Sequence, residues 1–358
     1  MMWFPFFICR FLKMSTNCVK MTEMSVFNSN KKTVLSGVRP SNRLHIGNYL
    51  GSIKGMVLLQ NSAEYNNFFM VADLHAMTTP FDKNRLAEDT LNIVLDYLAC
   101  GIDPSKSIIF IQSYIPEHIE LAYYFSTLLS VARMRHLPTY KEKVKENPGH
   151  ITMALLYYPV LMAADILAYK ADFVPAGKDQ EPHLEVAREV AKKMNSIYGT
   201  HFPEPVMFKT KGAYVPSLKG YGKMSKSVEG SYIGLCDDID TIKKKLAGVP
   251  TDIGRGDSIP KEGGVAALLT LVALFEGKEK RLYYERQYLS GGIRYSDLKD
   301  ELAESIFAVL KPIQKRRKEF ESDLPGVFKI IKEGTENARA IASVTLSEVR
   351  GKVGIIKI

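Results

Sequence analysis

Between residues 31 and 112 the chain alternates short β-prone runs with amphipathic stretches of helical period, and this alternation constrains the fold more than any other feature. Lys31 opens KKTVLSGVRPSNRLHIGNYLGSIKGMVLLQ, in which Thr33–Ser36 is β-prone, Gly37–Asn42 is turn-rich and Tyr49–Gln60 has helical spacing. Asn67–Ala72 (NFFMVA) reads as a second strand, Asn84–Ala99 as an amphipathic helix ending at Gly101, and Ser107–Gln112 (SIIFIQ) as a third strand. Strands alternating with helices build a parallel sheet covered by those helices, so the expected class is α/β. Ligands of such sheets sit at the carboxyl ends of the strands, which puts Gly37–Asn48, Asp73 and His75 where chemistry would be done.

With 358 residues the chain has the length of two or three domains and can bury a large core. Its 48 Lys and Arg against 39 Asp and Glu give a net charge of +9, which favours polyanionic partners without identifying one. The four cysteines, Cys9, Cys18, Cys100 and Cys236, form neither a C-x-x-C pair nor a zinc-finger spacing, so a reducing compartment fits and no structural zinc is expected. The apolar run Val265–Phe275 falls short of the roughly 20 residues a bilayer needs and reads as a buried helix, so no membrane association is expected. Residues 1–30 differ from the rest: an apolar run is followed by Arg10, Lys13 and Lys20, with no acid before Glu23. They read as an extension outside the fold, either a start assigned upstream of Met14, Met21 or Met24 or an organelle transit segment. Location is accordingly expected to be the cytoplasm, or an organelle matrix under the transit reading.

Two motifs carry the chemistry. His45-Ile46-Gly47-Asn48 stands at the start of a helix, where backbone N–H groups and the positive end of the helix dipole favour phosphate. Gly47 allows a base or ribose to lie against the backbone, while His45 and Asn48 offer side-chain donors. Taken alone, these four residues could simply turn the chain into a helix. Downstream, Lys223-Met224-Ser225-Lys226-Ser227 follows a glycine-rich turn and precedes Gly230, a loop able to bring two positive charges to a polyphosphate. A basic loop by itself is commonplace; the pairing of the two motifs is not.

With this pair the chain resembles the class I aminoacyl-tRNA synthetases from about Lys31 to the C-terminus. Between the motifs, YYPVLMAADILAYKADFVPAGKDQEPHLEVAREVAKKMN (Tyr157–Asn195) is similar to the bacterial and organellar tryptophanyl enzymes rather than to the tyrosyl ones. The resemblance implies a Rossmann-like nucleotide-binding catalytic domain over residues 31–235, including the 223–227 loop, and an all-helical tRNA anticodon-binding region over 236–358. It implies activation of tryptophan with ATP to tryptophanyl-adenylate, transfer to the 3′ end of the cognate tRNA(Trp), magnesium carried with ATP, and a symmetric homodimer.

Residue by residue, the resemblance assigns His45, Asn48, Lys223 and Lys226 to catalysis as donors of hydrogen bonds and charge. Arg39, Pro40, Ser41, Gly47, Asn48, Lys143, Gly177, Lys178, Asp179 and Val215 are assigned to ATP, together with Lys223–Ser227. Arg39 stands where many relatives have glutamine, Lys178 where they often have an acid, and Val228–Ser231 where they usually place an asparagine. Asp165, in MAADIL, is placed at the bottom of the amino-acid pocket, with Met162, Tyr158, His75 and Gln180 around the tryptophan. A fixed carboxylate suits an indole N–H, which can only donate, and would reject phenylalanine. No protein nucleophile or general base is needed for the first step, because the attacking carboxylate is already ionised.

Beyond Asp238 the text is helical. In DLKDELAESIFAVLKPIQKRRKEF, Leu302, Ile306, Leu310 and Ile313 recur at helical spacing as a buried stripe, with Lys311, Lys315, Arg316 and Lys318 largely off it. Lys243–Lys245, Lys329, Lys332 and Arg339 add charge able to meet a phosphate backbone, although solvated helix faces look the same. The competing readings are a tyrosyl-tRNA synthetase, a nucleotidylyltransferase with a similar cradle, and a silent RNA-binding paralogue.

Overall fold

In the computed structural model residues 27–41, 43–208, 214–226 and 228–356 are described. Five strands, β1 (Lys32–Val38), β2 (Tyr65–Val71), β3 (Ser107–Ile111), β4 (Phe173–Pro175) and β5 (Val206–Phe208), form one sheet in the order β3-β2-β1-β4-β5. Every pairing is parallel, from Lys32↔Tyr65 through Val38↔Val71 between the two central strands. The chain runs outward from β1 to β3 and then returns to lay β4 on the other side of β1. That reversal opens a crevice between the carboxyl ends of β1 and β4.

Alternation along β2 divides the core. Phe68 and Met70 join the apolar cluster on one face, with the helices Met153–Ala168 and Glu181–Tyr198. Phe69 and Val71 join the cluster on the other, with the helices Leu86–Ala99 and Tyr295–Ser322. Both faces are therefore covered, and β2 and β3 read as nearly continuous apolar runs for that reason. Leu86–Ala99 ends as expected at Gly101, whose φ of +102° lies in the left-handed region that glycine adopts at low cost. The expected helix at Tyr49–Gln60 begins earlier and is not regular: an α-turn Ile46–Asn48 leads into a π-helical turn Tyr49–Ile53 and then into Lys54–Ser62.

Residues 1–26 of the sequence-assigned extension lie outside the described residues, but Phe27 and Asn28 are docked on the sheet rather than outside it. The Asn28 amide donates to Asn66 Oδ1 at 2.9 Å, Asn66 Nδ2 donates back to the Asn28 carbonyl at 2.8 Å, and Phe27 meets Phe68 edge-on.

The C-terminal part comprises the helices Ile239–Ala247, Gly263–Phe275, Lys278–Ser290, Tyr295–Ser322 and Leu324–Val353. The stripe Leu302, Ile306 and Leu310 is fully buried, and each such side chain contributes about 2 kcal/mol relative to exposure. Several cations expected on a basic surface are engaged within the protein. Lys243 pairs with Glu304 at 2.8 Å, Lys245 with Asp237 at 2.6 Å and Arg339 with Glu117 at 2.9 Å. Among the described residues no helix is long and apolar enough to cross a membrane.

Candidate active site

A cavity of about 710 Å³ occupies the crevice between β1 and β4. The loop after β1 contributes Arg39, Ser41, His45, Gly47 and Asn48, and the turn after β4 contributes Gly177 and Asp179. The lysine loop closes the third side with Lys223, Met224, Ser225 and Lys226. Three segments far apart in sequence thus meet around one space, as the sequence predicts. Of the other residues expected at ATP, Pro40 and Val215 are buried beside the cavity, and Ser227 falls outside the described residues. Lys178 opens the 3-10 turn Lys178–Gln180 after β4, and its side chain is outside the described residues. Lys143 is not brought to the cavity: its Nζ pairs with Glu146 Oε2 at 2.6 Å, and Glu142 lines the wall instead.

The first motif owes its shape to a reciprocal cap. His45 Nδ1 accepts the Gly47 N–H at 3.0 Å, and Asn48 Oδ1 accepts the His45 N–H at 3.2 Å. A Cβ on Gly47 would come within 2.8 Å of the His45 ring and 3.3 Å of Met224 Cβ, so only glycine allows this packing. Burial, reinforced by the charges of Lys226 and Lys223, lowers the His45 pKa to about 4 and keeps the ring neutral. Because Nδ1 is an acceptor, the single ring proton resides on Nε2. Likewise, the Asn48 oxygen is taken and its Nδ2 remains to donate.

Backbone bridges fasten the two motifs together. Ile46 N donates to Ile233 O at 3.0 Å and Leu235 N to Leu44 O at 3.0 Å, while within the loop Met224 N donates to Val215 O at 3.0 Å. Met224 is buried beneath the loop, and Lys226 Nζ donates to the Ser41 carbonyl across the cavity mouth. Burial brings the Lys226 pKa down to about 8.

Beneath the cavity lies a second, enclosed network centred on Asp165, which is 1% exposed. Its helix, Met153–Ala168, is capped by Thr152, whose hydroxyl accepts from Leu155 N at 3.2 Å, and it presents Tyr158, Met162 and Asp165 along one face. Asp165 Oδ2 accepts from His75 Nε2 at 2.8 Å, Oδ1 lies 2.9 Å from His118 Nδ1, and Gln112 Nε2 reaches both oxygens at 2.9 Å. Burial alone would raise the Asp165 pKa; the close approach of His118 and the hydrogen bond from His75 outweigh it and hold the carboxyl well below its usual range. Tyr169 OH meets His118 Nε2 at 2.7 Å and, by donating there, leaves the ring proton on Nδ1, toward Asp165.

Tyr158 and Gln180 are joined through His183. The Tyr158 hydroxyl is 2.7 Å from His183 Nε2, and His183 Nδ1 is 3.0 Å from Gln180 Oε1. Burial and the neighbouring His75 lower the His183 pKa to about 4. Gln180 Nε2 in turn donates to Asp179 Oδ2 at 2.6 Å, so this chain of side chains ends at a residue lining the cavity. Met162, half-buried, packs on the apolar cluster under the same wall. Gln112, His118 and His183 were not among the sequence-derived site residues. Gln112 directly follows β3 and His118 lies in the first turn of the helix Pro116–Ser126, so a position past the carboxyl end of a strand is the available signal.

Comparison with known proteins agrees with this geometry. A family model described as tRNA synthetases class I (W and Y) matches residues 28–311. The chain is 40% identical over 330 residues to the tryptophan–tRNA ligase of Porphyromonas gingivalis, covering 90% of this chain and 99% of that one. To the corresponding ligase of Clostridium longisporum it is 41% identical over 335 residues, covering 91% and 97%. Among solved structures, the tryptophanyl-tRNA synthetase of Campylobacter jejuni complexed with ADP and tryptophan superposes with a TM-score of 0.79 at 33% identity, covering 90% of this chain and all of that one. By sequence, fold and the meeting of its two motifs, the chain belongs to the class I tRNA synthetases of the tryptophan and tyrosine family, on the side of the tryptophan–tRNA ligases.

Proposed function

We propose that the crevice binds ATP with its phosphates between His45-Ile46-Gly47-Asn48 and the lysine loop, and that tryptophan lies over Asp165 with its carboxylate toward the α-phosphate. An oxygen of that carboxylate attacks the α-phosphorus, the bond from phosphorus to the bridging oxygen breaks, and pyrophosphate leaves. A terminal ribose hydroxyl of tRNA(Trp) then attacks the activated carbonyl and releases AMP.

The protein's part is positioning and charge. The Nε2–H of His45 and the Nδ2 of Asn48 donate to phosphate oxygens, and Lys223 and Lys226 balance the charge that develops on the leaving pyrophosphate. Lys226 exchanges the Ser41 carbonyl for phosphate as it does so. Asp179 accepts from ribose hydroxyls beside Gly177, and Gln180, steadied by His183, faces the ammonium group of tryptophan. Magnesium enters as the partner of ATP, carried on its phosphates. The same reading makes the enzyme a homodimer working in the cytoplasm, with helices beyond residue 236 carrying the tRNA surface.

The observation that carries this reading is the convergence of the two motifs on one cavity at the β1/β4 reversal. ATP–pyrophosphate exchange with tryptophan, with tyrosine and without amino acid tests it. Exchange dependent on tryptophan is expected, and exchange with tyrosine alone, or none, would overturn it.

A further inference from the structure

The long helix Tyr295–Ser322 reaches the backbone on both sides of the ATP cradle, directly through Gln314 and, on the other side, through Arg317 by way of Asp96. Gln314 Nε2 donates to the carbonyls of Leu235 and Asp237, each at 2.9 Å. One turn on, Arg317, 3% exposed, pairs with Asp96, 1% exposed, and reaches the Asn92 carbonyl at 3.2 Å. Asp96 Oδ2 in turn accepts the Leu44 N–H at 3.2 Å. Leu44 leads directly into His45, and Leu235 follows shortly after the lysine loop. These two residues are themselves joined by the 3.0 Å bond from Leu235 N to Leu44 O.

We propose that Gln314 and Arg317 are positioning residues for adenylate formation, fixing the register between the two halves of the phosphate cradle from a helix that lies outside it. The proposal rests on the reading of the cradle given above. A buried ion pair is a costly way to stabilise a core, since apolar residues of similar volume often do as well or better. Here the pair does something an apolar contact cannot, because its carboxylate takes up the backbone N–H that precedes His45. Gln314 makes the matching contact on the other strand of the joint, and its two acceptors are backbone carbonyls, so it fixes main-chain position irrespective of the local side chains. Residues 314 and 317 are three apart and move together on a rigid helix. The exposed outer face of that helix carries Lys311, Lys315 and Lys318, so an anion held there and the ATP cradle share one element.

The test is pyrophosphate exchange kinetics on the full-length chain, with active sites titrated and melting temperatures measured. Gln314→Glu keeps the volume but replaces the donor by an acceptor facing two carbonyls. It is expected to lower kcat by about tenfold, equivalent to about 1.4 kcal/mol in the barrier, with KM for tryptophan changed less than about twofold. Gln314→Lys, which keeps a donor, is expected to recover most of that loss. The double variant Asp96→Leu with Arg317→Met removes both buried charges and the acceptor of the Leu44 N–H together, avoiding the stranded carboxylate that Arg317→Met alone would leave, and is expected to show the same split. Unchanged kcat per titrated site in Gln314→Glu and in the double variant would overturn the positioning role, as would kcat and KM changing in equal proportion. A wild-type chain without tryptophan-dependent exchange would overturn the underlying reading and the proposal with it; an active wild type with unaffected variants would overturn the proposal alone.

Discussion

His75 Nε2 lies 2.8 Å from Asp165 Oδ2, so the carboxylate that we propose receives an indole N–H is already accepting from the protein. Counting Gln112 and His118, the two oxygens face three nitrogen groups in a buried site. Such an arrangement keeps the acid ionised and fixed before substrate arrives, which is what selection for a donor-only ring requires. Of the two histidines, His75 is the one that reaches solvent, its side chain 10% exposed against none for His118. On the proposed reading an entering indole shares Oδ2 beside His75, while His118 and Gln112 hold the carboxylate from behind.

Asp165→Ala strands those donors in a buried site, so two effects are expected together. The kcat/KM for tryptophan in pyrophosphate exchange falls by at least about 100-fold, and the fold loses about 3 kcal/mol, read as a lower midpoint in denaturant. Asp165→Asn keeps one acceptor oxygen and loses less stability while still losing selectivity. An unchanged kcat/KM for tryptophan in either variant would remove Asp165 from the pocket.

Two duties of His45 can be separated. Its Nδ1 caps the Gly47 N–H, and its Nε2–H is the group we propose donates to phosphate. His45→Asn supplies a good N-cap acceptor without the second nitrogen, so its melting temperature should stay close to wild type. Its kcat for exchange should nevertheless drop about 100-fold, the usual loss when one donor to a developing anion is removed. His45→Ala should show the same kinetic loss plus about 1 kcal/mol of lost stability. Equal activity of His45→Asn and wild type would leave the residue a cap and nothing more.

The lowered pKa of Lys226, about 8, predicts a pH limb. A lysine is charged below its pKa, so the free enzyme loses this proposed phosphate partner as pH rises through about 8. The kcat/KM for ATP is expected to fall tenfold per pH unit above that point. Bound phosphates favour the charged ammonium, so the corresponding limb in kcat should lie at higher pH. Lys226→Arg, always protonated, should abolish the limb between about pH 7 and about pH 10, whatever its absolute rate. Persistence of an identical limb in that variant would assign the titration to another group.

The cradle was legible in the sequence because each part is local: a turn after a strand, a glycine where the backbone must approach, lysines in a loop. The Asp165 network was not, because it joins residues brought together only by tertiary packing; Gln112 and Asp165 are 53 residues apart. Arg317 illustrates a different kind of limit. In Gln314-Lys315-Arg316-Arg317-Lys318 consecutive cations look alike, yet the buried stripe Leu302, Ile306, Leu310 and Ile313 continues at the same three- and four-residue steps to position 317. The period carried the information, and the charge of the residue concealed it. Lys143 shows the opposite limit: a Lys-Glu-Lys pattern beside the cavity leaves open which side chain turns inward, and the helix Pro138–Glu146 turns Glu142 to the wall and Lys143 to Glu146.

How firmly the C-terminal helices are seated on the sheet is decided at Gly334. This residue lies within the helix Leu324–Val353, and a Cβ added to it would overlap the carbonyl oxygen of Ile109 in β3. The neighbour is backbone in a fully buried strand, which cannot swing aside as a flexible side chain would. In an open helix Gly→Ala is stabilising by up to about 1 kcal/mol. Here the sign should reverse: Gly334→Ala must push the helix off β3, and a loss of about 3 kcal/mol is expected. The displacement also reaches Gln112, which follows β3 directly, so KM for tryptophan should rise along with the loss of stability. Denaturant unfolding and exchange kinetics on the same preparation read both effects, and a variant as stable as wild type would show that the helix rides less closely on the strand than the Gly334 and Ile109 backbones indicate.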